Sequence, residues 1–463
     1  MTTDTEGGTT GAAHPYIPNT PEDVAIMLAR LGLTSTAELF AALPAAHRDP
    51  AIELAPALAE PELLRLMRSL AGENRQSLDR PSFLGAGAYR HSIPSIVPYL
   101  VSRSEFMTAY TPYQPEISQG TLQTAFEYQS TVCELTGLDV SNTGLYDVAS
   151  ATAEACLLAV RATGRQAVAL LEPMHPGTID VIRTYCFGAN VRVDVVRAAS
   201  AVERDHACLV VQQPDFLGAI ADIEALSTAA HEAGALCVVA ADPFALGLLR
   251  APGTAGADVV TGEGRDLAGG MAYGGPSVGL FAAREEFLRQ MPGLIVGRTK
   301  ELHGPHLADG TEGEPRTGYV LTLQTREQFI RRERATSNVS TGQSLVALAF
   351  TITVQALGPR GMREAATLAY QRAHEAAARI GGIPGFEVPE RGPWFHEFLV
   401  RGPLPAAALH AALAARGIEG GYDVSSRVEP EAQDALLFCV TEATAPEHID
   451  ALIDALTAIG DGR

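Results

Sequence analysis

Five short apolar segments, spaced by helix-like patterns between about residues 120 and 285, constrain the fold of this chain more than any other feature. They read QAVALLEP, VRVDVVR, ACLVVQQP, ALCVVAADP and ADVVTGEG. Around them lie GTLQTAFEYQSTVCELTG, ATAEACLLAVRAT, HPGTIDVIRTYC and IADIEALSTAAHEAG, whose apolar residues recur at helical spacing. Strands this apolar throughout leave neither face to water, so helices must cover both sides of a mainly parallel sheet. GGPSVGLFAA predicts one further strand, possible as an antiparallel member.

Helical patterns precede this region. In NTPEDVAIMLARLG, Thr20 is placed to cap, Pro21 suits the first helical position and Asp23 falls in the first turn. Val24, Met27, Leu28 and Leu31 share one face, and Gly32 is placed to end the helix. STAELFAALP repeats the logic with Ser35 and Glu38, and a third amphipathic helix covers about 60–72. Beyond the strands, residues 297–318 are polar and rich in Gly and Pro, which predicts an exposed loop. TGQSLVALAFTITVQAL predicts an apolar helix, and a separate long helix covers about 360–380. FEVPE, WFHEFLVRG and ALLFCVTE then alternate as strands with the helices PAAALHAALAARG and APEHIDALIDALTAIG. The expected organisation is a disordered lead-in at 1–13 and an N-terminal helical layer with an extended segment at 14–118. A large α/β domain follows at 119–340, with linking helices and a small C-terminal α/β domain at 341–463.

Composition narrows the function classes. The formal net charge is −20, the opposite of the basic footprint that a phosphate backbone requires, so nucleic acid is not an expected partner. No run approaches the roughly 20 apolar residues of a membrane span, and the polar N-terminus has no secretory apolar core. Six cysteines are scattered without a CxxC pair, several in apolar runs, as in a reduced cytoplasmic protein. Among 34 basic residues only one is lysine, Lys300. Arginine stays protonated and cannot act as a Schiff-base amine, so Lys300 alone could do so in this chain.

Few residues offer chemistry. Asp242 ends the strand ALCVVAADP, where parallel sheets place ligands. It could hold a pyridine nitrogen protonated, or simply cap the turn before Pro243. The stretch 258–276 that follows has no lysine, and Lys300 falls in the polar loop, where nothing would bury it. FMTAYTPYQPEISQG is a rigid polar-aromatic segment that either packs or reaches into a pocket or across an interface. NTGLYDVASATAEA enters a helix N-terminus, where Ser150 and Thr152 could help hold a phosphate; Val148 and Asp147 argue against it and for ordinary capping. Arg331, Arg332 and Arg334 read as a solvated face and His396 as a structural histidine, and no metal-ligand spacing is present.

Several blocks together carry a resemblance. YIPNTPEDVAIML, FLGAGAYRHSIPSIV, SRSEFMTAYTPYQPEISQGTLQ, FEYQSTVCELTGLDVSN, DPFALGLL, MPGLIVG, GYVLTLQTREQFIRRERATSN and GGYDVSSRVEPE closely resemble the glycine dehydrogenase (decarboxylating) subunit 1 family. This is the α chain of the glycine cleavage system P-protein where that enzyme is split in two. The resemblance runs from about Tyr16 to Glu442. It implies the aspartate-aminotransferase-type (fold type I) architecture of pyridoxal-phosphate enzymes. It also implies an α2β2 assembly with subunit 2, the β chain, which carries the Schiff-base lysine and the pyridoxal phosphate. In the implied reaction glycine is decarboxylated and its aminomethyl group passes to the lipoylated H-protein. On this reading Tyr110, Tyr113, Glu116, Ser118 and Gln119 would serve an active site across the subunit interface, and Asp242, Ser150 and Thr152 would be relics of a cofactor site. This sequence departs from the family pattern at Val148, where glycine is usual, and at Ser340 and Gly342, where cysteine and asparagine are common. Two other readings are a stand-alone enzyme using Lys300 and a non-catalytic scaffold.

Overall fold

A computed structural model describes residues 16, 18–48, 50, 53–74, 80–107, 112, 114–307, 310–323, 328–340, 342–425 and 434–462. The chain divides into two compact units, Met1–Arg75 and Gln76–Arg463.

The first unit is built by local rules. Helix α1 (Pro21–Leu31) starts on a capping box, in which the Thr20 side chain accepts from the Asp23 N–H and Asp23 accepts from the Thr20 N–H at 2.9 Å. Gly32 closes it in the left-handed region at φ 72°. Residues Thr36–Phe40 form a 3-10 turn with Glu38 accepting from the Ser35 N–H, and helix α2 spans Glu60–Gly72. None of these three elements contains a buried residue.

The second unit carries a seven-stranded sheet. Its strands are β1 (Val140–Ser141), β2 (Ala167–Leu171), β3 (Arg192–Val196), β4 (His206–Gln213), β5 (Leu236–Ala241), β6 (Val259–Glu263) and β7 (Gly279–Ala283). Their order is β1-β7-β6-β5-β4-β2-β3. The pairs from β6 to β3 are parallel, and β7 runs antiparallel to both β6 and β1. Helices α3 (Ile96–Val101), α4 (Ser104–Met107), α5 (Gln119–Thr136), α6 (Val148–Thr163), α7 (Pro176–Gly188) and α8 (Ile223–Glu232) surround it. Two apolar clusters form the core, one with Tyr128, Val239 and Phe350, the other with Leu158, Val210 and Phe281. At about 25 cal/mol per Å² of apolar area removed from water, these two layers are the main stabilising contribution.

The C-terminal part begins with α9 (Ser344–Gly381), in which the two expected helices run together across a kink. The kink falls at Gly358, which takes φ 63°, ψ 178°, and the second helix starts at Pro359. Among the described residues α9 alone is long and apolar enough to cross a membrane, and Phe350, Val354 and Ala366 on it lie in the sheet core. The expected loop at 297–318 starts and ends instead in a hairpin, β8 (Val296–Lys300) with β9 (Thr317–Leu321). Its strands are too polar to announce themselves, and a distant side chain fastens them. Gln119 accepts from the Tyr319 N–H at 2.8 Å and donates to the Tyr319 carbonyl at 2.9 Å. A second sheet of β10 (Glu397–Arg401), β11 (Tyr422–Asp423) and β12 (Ala435–Cys439) packs with α10 (Ala406–Ala414) and α11 (Pro446–Gly460) around Phe398, Phe438 and Leu452. FEVPE contributes only the bridge of Glu387 to Arg401.

Candidate functional site

Parallel strands expose their last carbonyls and side chains at one edge, and here that edge opens into a cavity of about 490 Å³. Gln212 near the end of β4, Asp242 after β5 and Glu263 at the end of β6 form its floor. The N-termini of α6 and α7 enter from the side with Asp147, Val148 and His175, and the loop Ala86–Tyr89 crosses above.

Asp242 continues the ladder, its N–H donating to the Gln213 carbonyl at 2.9 Å, and its Oδ1 accepts from the Phe244 N–H at 2.9 Å. Its Oδ2 has no hydrogen-bond partner among the described residues and lies 4.0 Å from His396 Nδ1. Burial pushes the Asp242 carboxyl up to about 6, and burial pushes His396 well below its ordinary value, so the histidine is neutral. Around this pair sits a network of buried acids. Tyr89 donates its hydroxyl to Glu397 Oε2 at 2.8 Å, and Glu397 is pushed up to about 7 by burial. His91 stacks on Phe244 with ring centroids 3.8 Å apart and holds Glu442 Oε2 at 2.9 Å. Burial opposes its charge, but the Glu442 carboxylate prevails and its pKa is raised.

The stretch after β6 holds Arg265 instead of a lysine. Its Nε donates to Asp266 Oδ1 at 3.0 Å and its Nη2 to the Gly87 carbonyl at 3.0 Å. Asp266 in turn accepts from the Tyr89 N–H at 3.1 Å. Four carboxylates (Asp147, Asp242, Glu263 and Asp266) thus share the wall with one guanidinium.

The N-terminus of α6 is sealed by two of these acids. Asp147 Oδ1 accepts from the Ser150 N–H at 2.7 Å, and Glu263 Oε2 is 3.4 Å from the Val148 N–H. Glu263 Oε1 also accepts from the Arg265 N–H at 2.9 Å and the Ser277 hydroxyl at 2.6 Å. Ser150 Oγ bonds back to Asp147, while Thr152 Oγ1 donates to the Val148 carbonyl at 2.7 Å and meets Thr261 Oγ1 at 2.8 Å. Neither Ser150 nor Thr152 lines the cavity; Asp242 and Val148 do.

Of the segment expected to serve a site, Tyr110 and Tyr113 lie outside the described residues. Glu116 is exposed on the short turn Pro115–Ile117, Ser118 is half-buried, and Gln119 is the hairpin clamp. Lys300 is exposed at the end of β8, not in a loop, and lines neither this cavity nor the next. A second cavity of about 310 Å³ lies where α5, β8 and the start of α9 meet, and both Ser340 and Gly342 line it. Sequence reasoning found Asp242 but missed Tyr89, His91, His175, Glu263, Arg265 and Asp266. In 258–276 the acids and the arginine, rather than an amine, were the available signal.

A mainly parallel seven-stranded sheet with a carboxylate after its central strand, followed by a small C-terminal α/β lobe, is the fold type I architecture of pyridoxal-phosphate proteins. The glutamate decarboxylase of Lactobacillus brevis shares this fold at 15% identity, with a TM-score of 0.63 over 92% of this chain and 97% of that one. The glycine cleavage system P-protein family matches residues 14–456, and this chain belongs to that family. Curated relatives include the probable glycine dehydrogenase (decarboxylating) subunit 1 of Desulfitobacterium hafniense, 44% identical over 96% of this chain and 99% of the relative. The protein of the same name from Thermomicrobium roseum is 44% identical over 95% and 98%. A crystal structure of a glycine decarboxylase (P-protein) in inhibitor-bound form superposes with a TM-score of 0.85 at 39% identity, covering 96% of this chain and all of that one.

Pyridoxal phosphate itself does not fit this chain's strand-end cavity. Asp242 suits a pyridine nitrogen, but no amine lines the cavity, and carboxylates take up the Val148 and Ser150 N–H groups at the helix end where a phosphate would bind.

Proposed function

We propose that this chain is the non-lysine subunit of a two-subunit glycine decarboxylase. The carrying observation is the strand-end cavity, in which Arg265 and four carboxylates stand where such an enzyme needs an amine and a phosphate cradle. Family membership supports the activity, and the name subunit 1 that its relatives carry supports a second subunit. In this reading the β chain holds pyridoxal phosphate, which supplies the electron sink for loss of carbon dioxide from glycine. This chain completes that active site across an α2β2 interface. Glu116 and Ser118, with Tyr110 and Tyr113, position substrate and exclude water there, Gln119 fastens their segment to the hairpin, and the lipoylated H-protein receives the aminomethyl group. The assembly works in the cytoplasm, which suits the six free cysteines and the bacterial relatives.

Co-expression with the candidate β chain tests the proposal. Cofactor absorbance and glycine–bicarbonate exchange are measured for each chain alone and for the mixture. Exchange only in the mixture, with the chromophore on the β chain, is the expected result. A chromophore on this chain that Lys300→Ala abolishes would overturn it, as would full exchange by the β chain alone. Glu116→Ala should lower exchange more than it lowers assembly; equal loss of both would make the segment structural.

A further inference from the structure

The first unit holds 75 of the chain's 463 residues, yet nearly half of the large apolar side chains left exposed among the described residues lie in it. They are not scattered. On α2, Leu63, Leu66, Met67 and Leu70 recur at i, i+3, i+4 and i+7, which is one face of a helix, and each is between 46% and 53% exposed. Val24, Met27, Leu28 and Leu31 repeat that spacing on α1, where Met27 and Leu31 are exposed and none of the four is buried. Arg65 and Arg68 take the opposite side of α2, so the helix is amphipathic with its apolar side uncovered.

Local rules start these helices but do not hold them. The box at Thr20 and the Glu62 carboxylate, which accepts from the Ala59 N–H at 3.2 Å, fix the first turns. Helix α1 has 11 residues and α2 has 13, lengths at which a lone helix is marginal in water and draws its stability from packing of the apolar face. With about half of each side chain in water, the large apolar residues of this unit offer on the order of 1,000 Å² of surface, more than the roughly 800 Å² per partner of a stable interface. Charge decides between partners. A formal net charge of −20 opposes pairing with a second copy of the same chain, which leaves a different chain as the cover.

We propose that the apolar stripes of α1 and α2 are a docking face for the β chain, which they grip by burying Leu63, Leu66, Met67 and Leu70 against an apolar surface of that chain. This rests on the two-subunit reading above and adds to it a source of affinity. The division of labour is that the first unit holds the partner, while the segment around Glu116 serves the reaction. The two helices then reach full stability only in the assembly.

Hydrogen exchange of the full-length chain, alone and mixed with the candidate β chain, tests it when read over residues 60–72 beside glycine–bicarbonate exchange. The α2 amides should exchange quickly in the free chain at every concentration, and at least about tenfold more slowly in the mixture. Leu66→Glu combined with Met67→Glu puts charge on the stripe and should raise the dissociation constant for the β chain at least about 100-fold. Arg68→Gln, on the opposite side, should leave that constant unchanged. Both variants alter exposed positions, so each should unfold in urea like the parent chain. Protected α2 amides in the free chain would mean that the chain covers its own stripe, and protection that rises with the concentration of this chain alone would assign a second copy. Either result overturns the docking face, as does a double variant that binds the β chain like the parent. Bicarbonate exchange by a mixture in which α2 stays unprotected overturns it too but leaves the two-subunit reading standing, whereas no complex and no exchange overturns both.

Discussion

Helices α6 and α9 both present their N-termini to cavities in the same unit, yet their first turns are capped differently. At α6, Asp147 caps the helix at 2.7 Å and Glu263 leans on the Val148 N–H. At α9, the Gln343 side chain makes no cap hydrogen bond among the described residues. The helix dipole is the same in kind at both ends, so the difference lies in which side chains reach the free N–H groups. The three departures from the family pattern fall on these two walls, Val148 on the first and Ser340 and Gly342 on the second.

The largest effect should come from Glu263→Ala. The substitution strips the acceptor from the Arg265 N–H at 2.9 Å and the Ser277 hydroxyl at 2.6 Å inside the wall. With about 1–3 kcal/mol for each buried donor left unmade, a loss of about 3–4 kcal/mol is expected in urea unfolding. Glu263→Gln keeps one acceptor oxygen and should lose less than half of that. Equal losses would mean that the charge, not the acceptor, holds the α6 end together.

Next comes pH. Asp242 is pushed up to about 6 and Glu397 to about 7, against unfolded values of about 3.9 and 4.3. Between about pH 4 and pH 7 the folded chain therefore binds more protons than the unfolded one, and stability falls as pH rises through that window. His91, with a raised pKa, adds to the descent, because its contribution is present at low pH and lost as pH rises through its folded value. His396, with a depressed pKa, opposes it. Glu397→Gln removes one titration and should flatten the descent by about 2–3 kcal/mol across the window. An unchanged slope in unfolding curves at pH 5, 6 and 7 would show that Glu397 is ionised throughout.

How much of this was legible depended on how far each interaction reaches along the chain. The box of Thr20 with Asp23 and the cap of α6 by Asp147 span three residues, and the sequence announced both. The strands were legible because burial on both faces leaves a continuous apolar run. Tyr89 and Glu397 are 308 residues apart, His91 and Glu442 are 351, and Gln119 reaches Tyr319 across 200. Nothing local marks such pairs, so the acid network below Asp242 and the β8–β9 hairpin emerged only with the fold. Asp242 stood out because strand ends carry ligands in this architecture, and it lines the cavity.

Removing the α6 cap gives a smaller effect. Asp147→Ala should cost about 1 kcal/mol, within the roughly 0.5–2 kcal/mol range for N-cap acids. It should also speed hydrogen exchange at Ser150, whose N–H loses its 2.7 Å acceptor. Normal exchange at Ser150 would mean that Glu263 alone seals the helix end.

The smallest change has the opposite sign. Gln343→Asp gives α9 the cap that α6 already has, and should raise stability by about 0.5–1 kcal/mol, read as a higher thermal midpoint. A midpoint that does not move at all would mean that the first turn of α9 already has acceptors, and the contrast with α6 would collapse to the difference between one cap and another.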